Sequence, residues 1–187
     1  MAVAVQPGIG AVGAKLYYPM GKIQHGGIIL GIGGIASHAH KYMPSETFGY
    51  FGRAVLMQEM SAVTGACLVV KKNIYFEVGG LDEQNLAVAF NDVDFCLRLK
   101  KAGYRNIWTP FAELYHHESV CRKKGIKEIE SQRFISEVAF MQERWGTALQ
   151  FDPAYNPNLT LSSEDFSFAF PPRFLNMQME LTEIKFV

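Results

Sequence analysis

The sequence is short of several things, and each shortage excludes something. Only three cysteines occur, Cys67, Cys96 and Cys121, with no CxxC pair among them. An odd, scattered set supports neither a disulfide framework nor a cysteine metal cluster. Cys67 and Cys96 sit in apolar runs and read as buried free thiols, which suits a reducing compartment. Charge of one sign is not in excess: Lys+Arg and Asp+Glu each total 18. No global basic field exists to hold nucleic acid or an anionic membrane. The Arg122-Lys123-Lys124 run is too short to change this and reads as a solvated turn. Long apolar runs are missing too. The longest, Gly26 to Ala36, is interrupted by five glycines and falls far below the ~20 residues of a spanning helix. The opening Met1-Ala2-Val3-Ala4-Val5 has no charged leader region and reads as a start inside a larger domain. Gly31-Ile32-Gly33-Gly34 is no phosphate loop: a GxxxxGK[ST] is absent, and a dinucleotide GxGxxG fails at Ala36.

What is present is enough for one folded domain: 187 residues, 49% hydrophobic and 19% charged. Residues 8–18 and 23–30 read as strands separated by a turn at 19–22. Residues 31–50, rich in Gly, His, Ser and Pro, read as a long loop. Residues 62–70 form a buried strand with no polar side. A short helix over 71–78 stops at Gly79-Gly80. The clearest helix covers 91–102, capped by Asn91 or Asp92 and ended by Gly103; Asp94 and Arg98 stand one turn apart and can pair. Short strands flank Pro110 at 106–108 and 112–115. A long amphipathic helix covers 128–145, with Ile129, Phe134, Val138, Met141 and Trp145 mostly on one face. From Asp152 onward the chain reads as an irregular, proline-containing surface tail.

Five motifs follow one another in a recognisable order: Thr64-Gly65-Ala66 with its apolar run, Val78-Gly79-Gly80-Leu81-Asp82-Glu83, Asn91-Asp92-Val93-Asp94 with Leu97-Arg98-Leu99, Gly103-Tyr104, and His116-His117-Glu118-Ser119. Each is weak alone. In this order they resemble the C-terminal signature of family 2 glycosyltransferases of the GT-A type. The resemblance runs from about Gly10 to Pro172. The flanking KLYYPMGKIQHGG and ERW…DPAYNPNL segments are similar to a subgroup that builds cell-surface polysaccharides, rhamnosyltransferases included.

The resemblance implies an α/β, partial GT-A (nucleotide-diphospho-sugar transferase-like) fold with a mixed sheet and packed helices. Residues 1–150 would be the acceptor-side portion and 151–187 the tail. The nucleotide-binding half would be absent, a deficit of around 100 residues at roughly 30 per βαβ unit. Asp92 matches the family's catalytic base, whose competing role is a helix cap. Asn91 stands where the family most often has Glu, and Asp94 follows one step on. His116 matches a position that helps hold a divalent metal, Mg²⁺ or Mn²⁺, in the complete enzyme; this chain alone is expected to bind none. Gly79, Gly80 and Asp82 resemble the acceptor-side turn. Trp108, Tyr104 and Phe90 are candidates for stacking on a sugar, with core packing as the competing role. His25, His38 and His40 match no metal template and read as loop or surface residues.

The implied activity is inverting transfer of a sugar from a nucleotide sugar to a glycan or lipid-linked acceptor, in the cytoplasm or at the inner face of the membrane. The rival is a non-catalytic glycan-binding or assembly module that keeps the acceptor surface. A metal hydrolase is disfavoured, because no histidine spacing forms a ligand triad. An exposed sheet left by a missing half is also expected to drive self-association.

Overall fold

The computed structural model describes residues 2–117 and 127–173. Cys121, the Arg122-Lys123-Lys124 run, Glu118 and Ser119, the side chain of Ile129, and tail residues 174–187 lie outside them. The described chain is α/β, with a mixed five-stranded sheet and a separate two-stranded ribbon.

Strand β1 (Ile9–Tyr17) is the sheet's axis and is buried along its whole length. It is flanked on both edges. On one edge, β2 (Ile23–His25) runs antiparallel to its end. Strands β3 (Ile28–Leu30) and β4 (Ala36–His38) form the ribbon. Strand β5 (Gln58–Met60) follows, and β6 (Leu68–Val70) pairs antiparallel with the first half of β1. Helix α1 (Lys72–Glu77) and helix α2 (Asn91–Lys101) come next. Strand β7 (Arg105–Tyr115) lies parallel to β1 on its other edge, with β5 antiparallel beyond it. Helix α3 (Lys127–Trp145) completes the regular elements. Gly13 makes the crowding around β1 possible: a Cβ there would lie 2.5 Å from that of Val63, so a side chain would push the crossing segment away.

Asn106 ties the layers together. Its side chain is fully buried; its Oδ1 accepts from Ala11 N–H, and its Nδ2 donates to the carbonyls of Ser61 and Cys96. One residue thereby connects β1, α2 and the strand-to-turn segment after β5.

Several sequence expectations change. Residues 23–30 are two strands in different sheets, broken where Gly27 takes φ +93° with Met60 packed against it. Residues 62–70 are a buried crossing, a 3-10 turn at Gly65–Cys67, and the half-exposed β6; Thr64 Oγ1 caps the turn by accepting from Ala66 N–H. The two strands around Pro110 are one. Ala14 faces Thr109 but Lys15 faces Glu113, so residues 110–112 bulge out of the ladder, as suits a proline with no N–H to donate. The 31–50 stretch contains β4 rather than loop alone. Cys96 is buried, while Cys67 is only partly so.

The tail also departs from a surface strap. Tyr155, Leu159 and Phe166 are buried in the same apolar cluster as Ile29, Leu30 and Trp108. The tail therefore helps to cover the ribbon. Asp152 pins the cover: it accepts from Leu30 N–H at 2.8 Å, the Ser61 hydroxyl at 2.5 Å and Ala154 N–H at 2.7 Å.

Candidate active site

The N-terminus of α2 is built unusually. Phe90, not Asn91 or Asp92, is the N-cap. It takes a left-handed φ of +61°, and no side chain caps the helix. Phe90's carbonyl accepts from Asp94 N–H at 2.9 Å. The preceding loop is held from α3, where the buried Glu137 carboxylate accepts from Val88 and Ala89 N–H. Asp92 is therefore not the N-cap residue but sits inside the first turn. Its Oδ2 accepts from Gly65 N–H at 2.8 Å and its Oδ1 from Val93 N–H at 2.9 Å. The half-exposed carboxylate is fixed by two backbone donors and retains free lone pairs. The bond to Gly65 joins two motifs that stand 27 residues apart.

On the other side of the same turn, Thr64 helps line a small polar pocket with Tyr18, Gln24, His38, Lys41 and His116. Gln24 grips His116 twice: its Nε2 donates to the His116 carbonyl at 3.4 Å, and its Oε1 lies 2.8 Å from Nδ1. An amide oxygen only accepts, so Nδ1 carries a proton and, in the neutral ring, Nε2 presents a lone pair. Beside it, His25 is fully buried. Its Nε2 accepts from Thr64 N–H at 3.3 Å and its Nδ1 lies 2.9 Å from His38 Nδ1. With Nε2 as acceptor, the neutral His25 donates from Nδ1, and His38 accepts. Burial, then the neighbouring His38, holds the His25 pKa well below the usual imidazole range.

The remaining predicted residues gather elsewhere. Asp94 is completely buried and fully engaged: Arg98 Nε at 2.8 Å, Trp145 Nε1 at 2.9 Å and Arg144 at 3.4 Å. Arg98 also donates to the carbonyls of Val78 and Gly80, locking the turn after α1 onto α2. Asp82 accepts from Asn85 and pairs with Arg144 at 3.1 Å. Gly79, Asp82, Arg98 and Arg144 line an open cleft of about 460 Å³. Gly79 is exposed, Gly80 buried and Asn91 half-buried. Trp108 is wholly buried in the core and presents no face to a sugar, because β7 is covered there on both sides. Tyr104 lies half-buried, with its hydroxyl donating to Glu77.

His40 is another buried imidazole. It is 1% exposed, stacks on Phe166 with ring centroids 4.6 Å apart, and neither ring nitrogen has a hydrogen-bond partner among the described residues. Burial first, then the Arg53 and Lys15 charges, lowers its pKa to about 4. The unfolded imidazole takes its proton near 6.5, so between the two values the unfolded state binds more protons and stability falls as pH falls. At about 1.36 kcal/mol per pH unit, acidification from pH 6.5 to 4 costs roughly 3 kcal/mol through this group. Urea titrations across that range should show the slope, and His40→Leu should flatten it while His25 keeps a residual slope of the same sign. A wild-type midpoint that does not move with pH would contradict the assignment.

Among the described residues no group of three or more His, Cys, Asp or Glu side chains could hold a metal ion. His116 Nε2 is a single candidate ligand rather than a site. Nothing in the residue spacing pointed to the His25–His38 pair, or to Gln24 and Lys41 beside His116. The clustered histidines of 38–40 were a signal, but their spacing fits no template.

With this geometry in view, three relatives stand out. The chain is 53% identical over 171 residues, 91% of its length, to the uncharacterized protein y4gI of Sinorhizobium fredii, of which the match spans 19%. It is 34% identical over 163 residues, 87% of its length, to O-antigen biosynthesis protein RfbC of Myxococcus xanthus, of which the match spans 12%. Over 57 residues, 30% of the chain, it is 39% identical to N-acetylglucosaminyl-diphospho-decaprenol L-rhamnosyltransferase of Mycobacterium tuberculosis, of which the match spans 18%. The chain is homologous to these proteins. It spans less than a fifth of the length of each. No family model and no solved structure matches it. No helix among the described residues is long and apolar enough to cross a membrane.

Proposed function

We propose that the chain is the acceptor-side portion of an inverting GT-A glycosyltransferase in cell-surface polysaccharide synthesis, with Asp92 as its general base. The observation that carries this is the half-exposed Asp92 carboxylate, fixed by Gly65 and Val93 N–H at the α2 N-terminus. Relatedness to an O-antigen biosynthesis protein and, in part, to a rhamnosyltransferase supports the reaction class. In the step, the acceptor O–H bond breaks and its proton passes to Asp92. The acceptor oxygen bonds to the anomeric carbon, and the bond from that carbon to the nucleoside diphosphate breaks, the electron pair leaving with the diphosphate. Two backbone donors fix the carboxylate's orientation, so little reorganisation is needed when the hydroxyl arrives.

His116 would contribute its Nε2 lone pair to a Mg²⁺ or Mn²⁺ ion bound chiefly by the nucleotide half, where the ion would neutralise diphosphate charge. The transfer would take place in the cytoplasm or at the inner face of the membrane.

Two outcomes test this division of labour. The 187-residue chain by itself should show no saturable binding of nucleotide diphosphate sugars in calorimetry, with or without Mg²⁺ or Mn²⁺. A micromolar constant would place the donor site inside this chain and overturn the reading. The chain should also self-associate. Phe111, Leu114 and Tyr115 on the outer part of β7 are exposed, and zero formal net charge supplies no repulsion. Light scattering at micromolar concentration should then exceed the monomer mass. A monomer mass independent of concentration would remove the assembly part of the proposal and leave the catalytic part standing.

A further inference from the structure

Between the ribbon, α3 and the tail lies a groove of about 430 Å³ that no residue of the proposed reaction occupies. Its size falls in the roughly 300–1,000 Å³ range of small-molecule sites. Phe90 and Phe134 stand on one wall with ring centroids 5.7 Å apart, and Ile35 forms part of the floor. Ser37, Ser162 and Glu164 supply the polar side. The Ser37 hydroxyl donates to Glu164 Oε1 at 2.5 Å, which aims the carboxylate and leaves acceptor capacity on it.

Three features narrow what this groove takes. Phe90 holds φ +61°, a conformation that a bulky side chain adopts at a cost and that tends to persist where a site needs it. Helix capping does not require a phenylalanine here, since Asn or Asp would serve better. Phe134 lines the groove and remains 49% exposed, so its ring is available for contact. Glu164 is the one charged side chain lining the groove among the described residues, which opposes phosphate and other anions. An aromatic wall facing hydroxyls and a carboxylate matches a pyranose ring. Such a ring presents an apolar C–H face to the aromatic rings and hydroxyl donors to Glu164.

We infer that this groove is a subsite for a neutral pyranose ring of the acceptor glycan. The inference rests on the glycosyl-transfer reading, because Phe90 lies two residues before Asp92 and would bring the acceptor to the base. The groove would hold a sugar set back from the attacking hydroxyl, giving the acceptor its register along α2.

The test is NMR titration of the whole chain, labelled at phenylalanine and isoleucine, with methyl glucoside, methyl mannoside and methyl rhamnoside, and with inorganic pyrophosphate as the anionic probe. At least one glycoside should shift Phe90, Phe134 and Ile35 saturably at millimolar concentration, and pyrophosphate should not compete. Phe134→Ala should weaken binding about tenfold, equivalent to a stacking contribution near 1.4 kcal/mol. Glu164→Gln should weaken it with the spectrum otherwise unchanged, which covers the case of a misfolded Phe134 variant. Shifts confined to other residues, no shift with any glycoside, or competition by pyrophosphate would each overturn the inference. Its failure is separable from that of the transfer reading. Glycoside binding with an active Asp92→Asn enzyme removes the base and keeps the subsite, whereas no binding with an inactive Asp92→Asn enzyme does the reverse.

Discussion

Asp92→Asn, made in a glycosyltransferase that joins this chain to its nucleotide-binding half, should lose on the order of 100-fold or more of its turnover, because general-base catalysis typically contributes 10²–10⁴. The substitution keeps the size of the side chain and removes its ability to take a proton. The loss should fall on kcat in single-turnover assays, with donor KM little changed, since no donor contact is removed. Asparagine can still accept one of the two backbone donors now shared by the carboxylate, so folding should survive and thermal unfolding should confirm it. Wild-type turnover in the variant would reduce Asp92 to a clasp between the Gly65 turn and α2. Full loss of folding would be equally informative, because the clasp would then outweigh the chemistry.

The second large effect belongs to Asp152. Its buried carboxylate satisfies Leu30 N–H, the Ser61 hydroxyl and Ala154 N–H. Asp152→Ala leaves the first two buried without a partner, at about 1–3 kcal/mol for each. A total loss near 3–5 kcal/mol is a large share of the roughly 5–15 kcal/mol that holds such a domain together. Asp165→Ala is the matched control: that carboxylate also accepts several local bonds, from Ser163 and Ser167, but is exposed, and should cost well under 1 kcal/mol. Urea unfolding of the two variants side by side decides the matter. Equal midpoints would mean that the tail is not clamped through Asp152.

What could be read in advance followed the range of the interaction. Helices α1 and α2 were legible because their stops and their apolar spacing are local, and the Asp94–Arg98 pair forms as its one-turn spacing implies. The long α3 was likewise legible, although Phe134 lies exposed rather than in the core. Strands were read with less success. An unbroken apolar run such as 62–70 does not say where it turns, and the turn at Thr64 depends on His25 and Asp92 from distant segments. Trp108 was a candidate sugar platform only while its burial was unknown. The tail's composition suggested surface, but cover for the ribbon had to come from somewhere, and no sequence rule says from how far. For the site, the residue types at Asp92 and His116 were visible. The devices that orient them, Gly65 N–H and the Gln24 amide, are not, because a backbone donor has no signature and a glutamine has many uses.

The parallel pairing of β1 with β7 sets Tyr17 opposite Tyr115, and the clamp on Leu30 comes from Asp152. Contacts so far apart along the chain must wait for long loops to close before they return any stability, which slows folding relative to a protein built from neighbouring contacts. During synthesis, β1 emerges before β7 and spends the interval as a hydrophobic strand with one edge unpaired. The ribbon waits longer still, until residues 152–166 arrive. Chaperone dependence and aggregation on fast heterologous expression are therefore expected from this topology, whatever reaction the finished domain performs.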